Sequence, residues 1–97
     1  MYARLTIIQV DTERIDEGIE FYKDNVVPAA KSQKGFREIS LLVDRQKGKA
    51  ISVALWESEE DAIANEESRY YQEQLVKGIQ FFTKPPIREG YDVAIKA

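Results

Sequence analysis

Residues 50–61 run from an alternating strand straight into the start of a capped helix. The strand half places an apolar side chain at every second position, which is the period of a β-strand. Ser58 with Asp61 three residues later forms a capping box, and the acids between them suit the positive end of a helix. Every other element of the fold must therefore be arranged around this strand-to-helix joint.

The other segments predict three more strands and two helical blocks. The first strand is expected at 2–10, followed by a helix capped by Asp11 or Thr12. A hairpin of two strands is expected at 36–44 and 49–56, with its turn at Gln46-Lys47-Gly48. One helix then ends near Glu67, a second begins at Ser68 and is ended by Pro85-Pro86, and the last strand is expected at 87–95. We expect Pro28 to kink the first helix and Gly35 to close its link to the second strand. The order βαββαβ predicts one ferredoxin-like α+β domain over 1–97, with an antiparallel sheet and helices on one face.

Alternation along the strands predicts two unequal faces of the sheet. The residues expected under the helices are Leu5, Ile7, Ile39, Leu41, Val43, Ile51, Val53, Leu55, Val93 and Ile95. Those expected on the opposite face are Thr6, Ile8, Val10, Phe36, Ser40, Leu42, Ser52, Ala54 and Trp56. A solvated face carries more charge than this second set, and its apolar members would form a large exposed patch. We therefore predict that a second copy of the chain covers it, giving a face-to-face homodimer.

The composition excludes several classes of chemistry. The chain has no His and no Cys, so imidazole acid/base catalysis, thiol chemistry and a Ser-His-Asp hydrolase triad are excluded. Its 14 basic and 17 acidic residues are mixed along the chain, and no basic stripe predicts a nucleic-acid partner. No apolar run is long enough for a membrane span or a signal peptide. We expect a cytoplasmic protein without a metal site or a cofactor.

Four short motifs carry a resemblance to a known family. They are Val27-Pro28-Ala29-Ala30, Gly35-Phe36-Arg37, the run from Ala54 to Asp61, and Pro85-Pro86. With this spacing the chain resembles, over nearly its whole length, the antibiotic biosynthesis monooxygenase-like family of dimeric α+β barrels. The resemblance implies a pocket between sheet and helices. Some members oxidise polycyclic aromatic compounds without metal or flavin, and others degrade haem.

Only some of the functional residues of this family have a matching residue in this chain. In cofactor-free oxygenation a pocket Trp and an Asn on the sheet are expected to position the substrate, and Trp56 matches that Trp. The two asparagines, Asn25 and Asn65, fall on predicted helical segments, and Ser52 and Ala54 occupy the sheet positions instead. Haem-degrading members ligate iron with a His, which this chain lacks.

The candidate substrate-binding residues are Trp56, Tyr22, Tyr71 and Ser52, and no catalytic residue is assigned. Core packing is the commoner role for residues such as Trp56 and Tyr22, and we weigh it against ligand binding. Among the C-terminal aromatic residues, Tyr71 and Phe82 are expected to face inward. Tyr70 and Phe81 are expected to face a partner, a pocket mouth or water.

Charged residues add further candidates. Arg4, Arg37 and Arg69 could each hold an anionic group, although each alone reads as a solvated charge. Asp92 and Glu38 are the acids expected to be partly buried, and Glu66 and Glu67 read as a solvated face.

Two functions remain open. The first is a homodimeric monooxygenase, an oxidoreductase that acts on an aromatic or quinol-like small molecule. The second is a non-catalytic homodimeric barrel that binds a hydrophobic small molecule or fills its pocket with its own side chains. A void of ~300 Å3 or more would favour the first. A sheet-helix interface packed at interior density would favour the second.

Overall fold

The computed structural model describes residues 1–97 and has the predicted α+β architecture. A four-stranded antiparallel sheet, in the order β2-β3-β1-β4, carries all the helices on one face. The strands are β1 (Tyr2–Gln9), β2 (Phe36–Asp44), β3 (Lys49–Trp56) and β4 (Ile87–Asp92). The α-helices are α1 (Ile15–Phe21), α2 (Val27–Lys31), α3 (Glu59–Glu67) and α4 (Arg69–Gly78). No helix combines the length and the apolar character that crossing a bilayer requires.

Side-chain caps fix the starts of the helical segments, as the sequence predicts. The Asp11 carboxylate accepts a hydrogen bond of 2.9 Å from the backbone amide two residues on and begins a short 3-10 turn. Ser58 Oγ accepts from the amide of Asp61 at 3.2 Å, and Ser68 Oγ accepts from that of Tyr71 at 3.1 Å. Each cap satisfies one of the backbone donors that a helix start leaves unpaired.

The kink expected at Pro28 takes the form of a widened turn just before it. Tyr22–Val26 form a π-helical turn between α1 and α2, and the amide of Val27 donates to the carbonyl of Tyr22, five residues back. Pro28 has no amide hydrogen, so a regular α-helix would lose a bond there. The helix shifts its bonding register just ahead of that position and then buries Ala29 and Ala30 against the core.

Two elements end earlier than the sequence predicts. Helix α4 stops at Gly78 and tightens into a 3-10 turn, so the chain has left the helix well before Pro85-Pro86. Strand β4 stops at Asp92 instead of residue 95. The chain then leaves the sheet, and Lys96 reaches the carboxylate of Glu38 on β2 at 3.1 Å.

The strand register decides which face of the sheet the helices cover, and the prediction was wrong for β1 and β3. Thr6 pairs with Ser52, and this pair lies on the face under the helices. The residues Arg4, Ile8, Ala50, Ala54 and Trp56 lie on that face as well. In β2, Ile39, Leu41 and Val43 lie under the helices as predicted. Phe36 was predicted on the opposite face but pairs with Trp56 on the helix face, because the register shift between Phe36 and Glu38 changes the alternation there. Val93 and Ile95, which were also expected under the helices, lie beyond the end of β4. A change of one residue in parity moves every side chain of a strand to the other face.

The opposite side of the sheet, here called the open face, has an apolar centre. Its apolar residues are Ala3, Leu5, Ile7, Leu42, Ile51, Val53, Leu55, Ile87 and Tyr91. Polar and charged residues on the same face, Glu38, Ser40, Asp44, Lys49 and Glu89, lie on the outer strands or at the strand ends. Leu42 is 54% exposed, Ile87 60% and Tyr91 52%. Only 12 of the 97 residues are buried, because no layer of this chain covers the open face.

We expect opposite stability effects from the same substitution at two glycines. Gly35 has φ of 82°, a left-handed conformation, and an added Cβ would collide with the Asp61 side chain. Gly35→Ala should lower the free energy of unfolding by about 1–3 kcal/mol. Gly18 lies inside α1, where an added Cβ would meet the Phe81 ring at an ordinary contact distance of 3.8 Å. Gly18→Ala should therefore raise the free energy of unfolding by about 0.5–1 kcal/mol. Urea unfolding at one fixed protein concentration measures both. A Gly35→Ala variant as stable as the parent would contradict the assigned turn.

Candidate functional site: a pocket between sheet and helices

A cavity of about 130 Å3 lies between the sheet and the helical layer. The central strands present small side chains to it, from Thr6, Ala50, Ser52 and Ala54. The helical layer supplies most of its aromatic lining, from Phe21, Tyr22, Tyr71, Phe81 and Phe82. Because the central strands do not fill the space beneath the helices, a hollow remains. Its volume is close to the roughly 150 Å3 that holds one benzene ring, and below the ~300 Å3 of a drug-sized site.

Trp56 forms one wall of this cavity and anchors the core at the same time. It is 2% exposed, and its ring packs edge-on against Phe36 with centroids 5.9 Å apart. Tyr2, Ala54 and Ala62 complete the buried cluster around it. The packing role and the pocket role, which the sequence presents as alternatives, are therefore compatible at this residue.

Tyr22 and Ser52 form a hydroxyl pair in the cavity wall. The Tyr22 hydroxyl, on the widened turn, lies 2.6 Å from Ser52 Oγ at the centre of β3. Burial raises the pKa of Tyr22 to about 12, partly offset by the Ser52 hydrogen bond, and Tyr71 adds to the rise. Both polar groups are satisfied by one another, so Tyr22 stays protonated as a neutral hydrogen-bonding group.

Tyr71 enters the cavity from the first turn of α4. Burial raises the pKa of its phenol, and the nearby Arg88 guanidinium lowers it in part. That guanidinium lies 5.8 Å from the centroid of the Tyr71 ring. The structure thus brings all four predicted binding residues, Trp56, Tyr22, Tyr71 and Ser52, to one cavity. Their role in binding stays a prediction.

Arg4 and Glu66 give the cavity a polar part of its lining, and Arg88 reaches the same Glu66 carboxylate from outside the lining. Glu66 Oε1 accepts from Arg4 Nη2 at 3.0 Å, and Glu66 Oε2 accepts from Arg88 Nη1 at 2.8 Å. The Glu66 side chain is only 12% exposed, so the prediction of a solvated Glu66 was wrong. We call these three residues the arginine-glutamate cluster. It has a net charge of +1, since each guanidinium is positive and Glu66 is negative.

Two amide side chains also line the cavity, Asn65 next to Glu66 in α3 and Gln74 one helical turn after Tyr71 in α4. Asn65 is 6% exposed and reaches the cavity from α3. The Gln74 side chain also lines the cavity, and its Oε1 is buried without a hydrogen-bond partner. The sequence motifs singled out neither residue as part of a site. The helical spacing of Ala62, Asn65 and Glu66 is the signal that could have found one of them, because it places all three on one side of α3.

Of the four orientations predicted for the C-terminal aromatic residues, three are correct and that of Phe81 is wrong. Tyr70 is 61% exposed, as expected for an outward residue, and Phe82 lines the cavity. Phe81 was predicted to face outward but is 8% exposed and packs against Phe21 with ring centroids 5.6 Å apart. The 3-10 turn after Gly78 explains the difference, because three residues per turn rotate the following side chains relative to an α-helix.

The other charged candidates lie away from the cavity. Arg37 pairs with Glu57, and Arg69 lies 3.6 Å from Glu73. Asp92 is exposed at the end of β4, and the exposed Glu38 carboxylate pairs with Lys96. No three acidic side chains converge in a way that could hold a metal ion. Among the predicted anion-binding arginines, only Arg4 therefore belongs to the cavity.

Tyr22 should make stability depend on pH in the alkaline range. The unfolded chain releases the proton of the Tyr22 hydroxyl near pH 10, whereas the folded chain holds it to about pH 12. The stability that comes from the protonated hydroxyl is therefore complete below pH 10 and is lost as the pH rises above it. Between pH 10 and pH 11 the parent should lose about 1 kcal/mol more unfolding free energy than Tyr22→Phe. Urea titrations at several pH values measure this difference. Tyr70→Phe is the matched control at an exposed site and should keep the parental slope. Equal slopes for Tyr22→Phe and the parent would contradict the buried hydroxyl pair.

Comparisons with known proteins extend this picture. No protein-family model matches the chain. Among curated proteins it is 45% identical over 67 residues to the uncharacterized protein Rv2557 of Mycobacterium tuberculosis, which is 69% of this chain and 30% of that protein. It is 41% identical over 58 residues to the uncharacterized Rv2558 of the same organism, 60% of this chain and 25% of that protein. The match thus spans less than a third of the length of these relatives.

The likeness to solved structures covers the whole chain. Rv0793 from Mycobacterium tuberculosis superposes with a TM-score of 0.80 at 12% identity, over 99% of this chain and 97% of that one. An antibiotic biosynthesis monooxygenase gives 0.80 at 12% identity, over 98% and 100%. SnoaB, a cofactor-independent oxygenase from Streptomyces nogalater, gives 0.79 at 12% identity, over 98% and 94%. The resemblance carried by the sequence motifs is therefore confirmed at the level of the fold: the chain is an α+β protein with the fold of the antibiotic biosynthesis monooxygenase-like family.

Proposed function

We propose that the chain binds an electron-rich aromatic or quinol-like small molecule in its cavity and oxygenates it without metal or flavin. The observation that supports this most strongly is the cavity itself, which is apolar and aromatic along its walls and positively charged at the arginine-glutamate cluster. A flat ring with an ionisable oxygen matches both features. SnoaB, which shares the fold, is described as a cofactor-independent oxygenase.

In the proposed reaction the substrate itself supplies the electrons. The net positive charge of the arginine-glutamate cluster would stabilise an ionised phenolic oxygen and lower its pKa. The ionised ring passes an electron to O2, and the two radicals combine to form a carbon–oxygen bond in a hydroperoxide. Loss of water then leaves a new carbonyl group, so one oxygen atom enters the product and the other becomes water. The proton released on ionisation is used when the peroxide is protonated.

Four residues would hold the ring during this reaction. Trp56 and Tyr71 supply flat walls, and Tyr71 also offers a neutral hydroxyl. Tyr22 and Ser52 offer hydroxyl groups that already pair with each other, so a ligand would compete with that bond. Holding the ring in a space from which bulk water is excluded would protect the radical pair from side reactions.

A second function, ligand binding without turnover, is favoured by one observation. The cavity volume of about 130 Å3 is below the threshold of ~300 Å3 that distinguishes the two hypotheses. In this conformation it suits one ring and leaves little space for O2 beside a larger molecule. A binding protein needs only the ring, whereas an oxygenase needs both reactants in the same site.

Oxygen consumption with a panel of substituted hydroquinones tests turnover. We expect consumption above the rate of autoxidation without protein, and a fall in kcat/KM of about tenfold for Tyr71→Phe, which removes one hydrogen bond to the substrate. Tyr70→Phe removes the neighbouring exposed hydroxyl and should leave the rate unchanged. Consumption no faster than the background with every hydroquinone would overturn the oxygenase proposal in favour of binding alone. Unchanged rates in both Trp56→Phe and Tyr71→Phe would refute the site assignment.

We also propose that a second copy of the chain covers the open face. The centre of this face holds Leu5, Ile7, Ile51, Val53 and Leu55 from the two inner strands, with no charged residue among them. Burying a few hundred Å2 of such surface contributes several kcal/mol at roughly 25 cal/mol per Å2. That is comparable to the net stability of a whole domain, about 5–15 kcal/mol. The residues differ from those expected from the sequence, but the physical reason for the dimer is the same.

Sedimentation velocity with two matched variants tests this dimer. Val53→Lys places a charge at the centre of the open face and should convert the dimer to monomer at micromolar concentration. Val76→Lys makes the same change on the outer side of α4, where the parent residue is 70% exposed, and should leave the dimer intact. A parent protein that sediments as a stable monomer at micromolar concentration would exclude the proposed dimer.

A further inference from the structure

One buried polar atom of the cavity lacks a hydrogen-bond partner. Gln74 Oε1, an acceptor, is buried without any donor. Arg4 Nε lies 3.0 Å from Glu66 Oε2 in an ion pair, so its charge is already matched within the protein. Buried polar groups are almost always paired in folded proteins, and leaving one unpaired is costly. A ligand that satisfies Gln74 must therefore donate a hydrogen bond.

The chemistry of the polar lining narrows the choice of ligand group. A carboxylate only accepts, and it would meet the Gln74 carbonyl oxygen and the Glu66 carboxylate as well as the arginines. An ether oxygen also only accepts and leaves Gln74 unpaired. A hydroxyl group donates one hydrogen, which the Gln74 oxygen needs, and accepts through two lone pairs, which suits the neighbourhood of a guanidinium group.

The space limits the size of the ring that carries this hydroxyl. The cavity of about 130 Å3 is close to the engineered apolar cavity of roughly 150 Å3 that binds one benzene molecule. The floor of the cavity cannot move away easily, because Ala54 and Ser52 belong to β3, which is paired on both sides. The roof is held against the sheet by the Tyr22–Ser52 hydrogen bond. A fused two-ring compound would have to displace this bond.

We propose that the ligand of the cavity is a phenol with a single aromatic ring, bound with its hydroxyl at the arginine-glutamate cluster beside Gln74 and its ring between Trp56 and Tyr71. This inference rests on the proposed ligand-binding role of the cavity but not on oxygenation. It gives the orientation of the ring: the carbon para to the hydroxyl points away from the cluster, toward the apolar part of the cavity. That carbon is where an ionised phenol is rich in electrons.

Binding of four probes, measured without oxygen, tests the proposal separately from turnover. The probes are phenol, its methyl ether anisole, toluene, and the two-ring 1-naphthol. Chemical shifts of the labelled protein report binding, and the indole N–H of Trp56 gives one signal because the chain has a single Trp. We expect phenol to bind at least about tenfold more tightly than anisole or toluene, since neither pairs with Gln74. We expect 1-naphthol to bind at least about tenfold more weakly than phenol.

A matched pair of variants tests the role of Gln74. Gln74→Leu keeps the side-chain shape and removes the unpaired acceptor, so it should abolish the preference for phenol over anisole. Gln46→Leu makes the same change in the exposed β2–β3 turn and should keep the parental preference. If Gln74→Leu fails to fold, the comparison of the four probes on the parent protein still decides.

Several results would overturn the proposal. They are equal binding of phenol and anisole, binding of 1-naphthol as tight as that of phenol, and no shift of the Trp56 signal with phenol. The oxygen-consumption assay separates this inference from the proposed reaction. Selective phenol binding without turnover would support the inference and refute the oxygenase. Turnover of a two-ring quinol without phenol binding would support the oxygenase and refute the inference of a single-ring phenol.

Discussion

The size of the side chains on the two inner strands controls the rest of the structure. Strands β1 and β3 pair along their full length and present small residues to the helices, among them Thr6, Ser52 and Ala54. Most of their branched apolar residues, Leu5, Ile7, Ile51, Val53 and Leu55, point to the other side of the sheet, and only Ile8 shares the helix face. Helices that rest on small side chains leave a hollow beneath them, and a sheet face made of large apolar side chains needs a cover. The cavity and the open face are thus two results of one alternating pattern.

The cavity has both satisfied polar groups and an unsatisfied polar atom in its lining. The hydroxyls of Tyr22 and Ser52 neutralise each other's demand for hydrogen bonds, so the middle of the cavity behaves as an apolar space. Elsewhere in the cavity, two guanidinium groups share the Glu66 carboxylate and leave a net positive charge, and the Gln74 oxygen has no donor. A ring with one hydroxyl group matches this division. Ionisation of that hydroxyl, which the positive charge favours, would remove its hydrogen bond to Gln74, so binding and the proposed reaction use the group in two different protonation states.

Local features of the fold could be predicted from the sequence because local residues cause them. The caps at Ser58 and Ser68, the turn at Gly48 and the disturbance at Pro28 each depend on a few neighbouring residues, and all are present. The faces of β1 and β3 could not be predicted in this way. The branched apolar residues of these strands were assigned to the core, whereas most of them lie on the open face, and the middle of β3 presents Ala50, Ser52 and Ala54 to the helices. The cluster of Arg4, Glu66 and Arg88 joins residues from three elements, and only the strand and helix packing brings them together.

The most direct test of this division is the dependence of unfolding on protein concentration. If the open face is stable only when a second copy covers it, dissociation accompanies unfolding, and the unfolding free energy per dimer contains the association term. A hundredfold rise in concentration should then raise the apparent stability by about 2.7 kcal/mol and move the urea midpoint upward. A midpoint that stays constant over that range, in a folded protein, would show that the open face is stable in water in a single subunit and would contradict the central role given to it here.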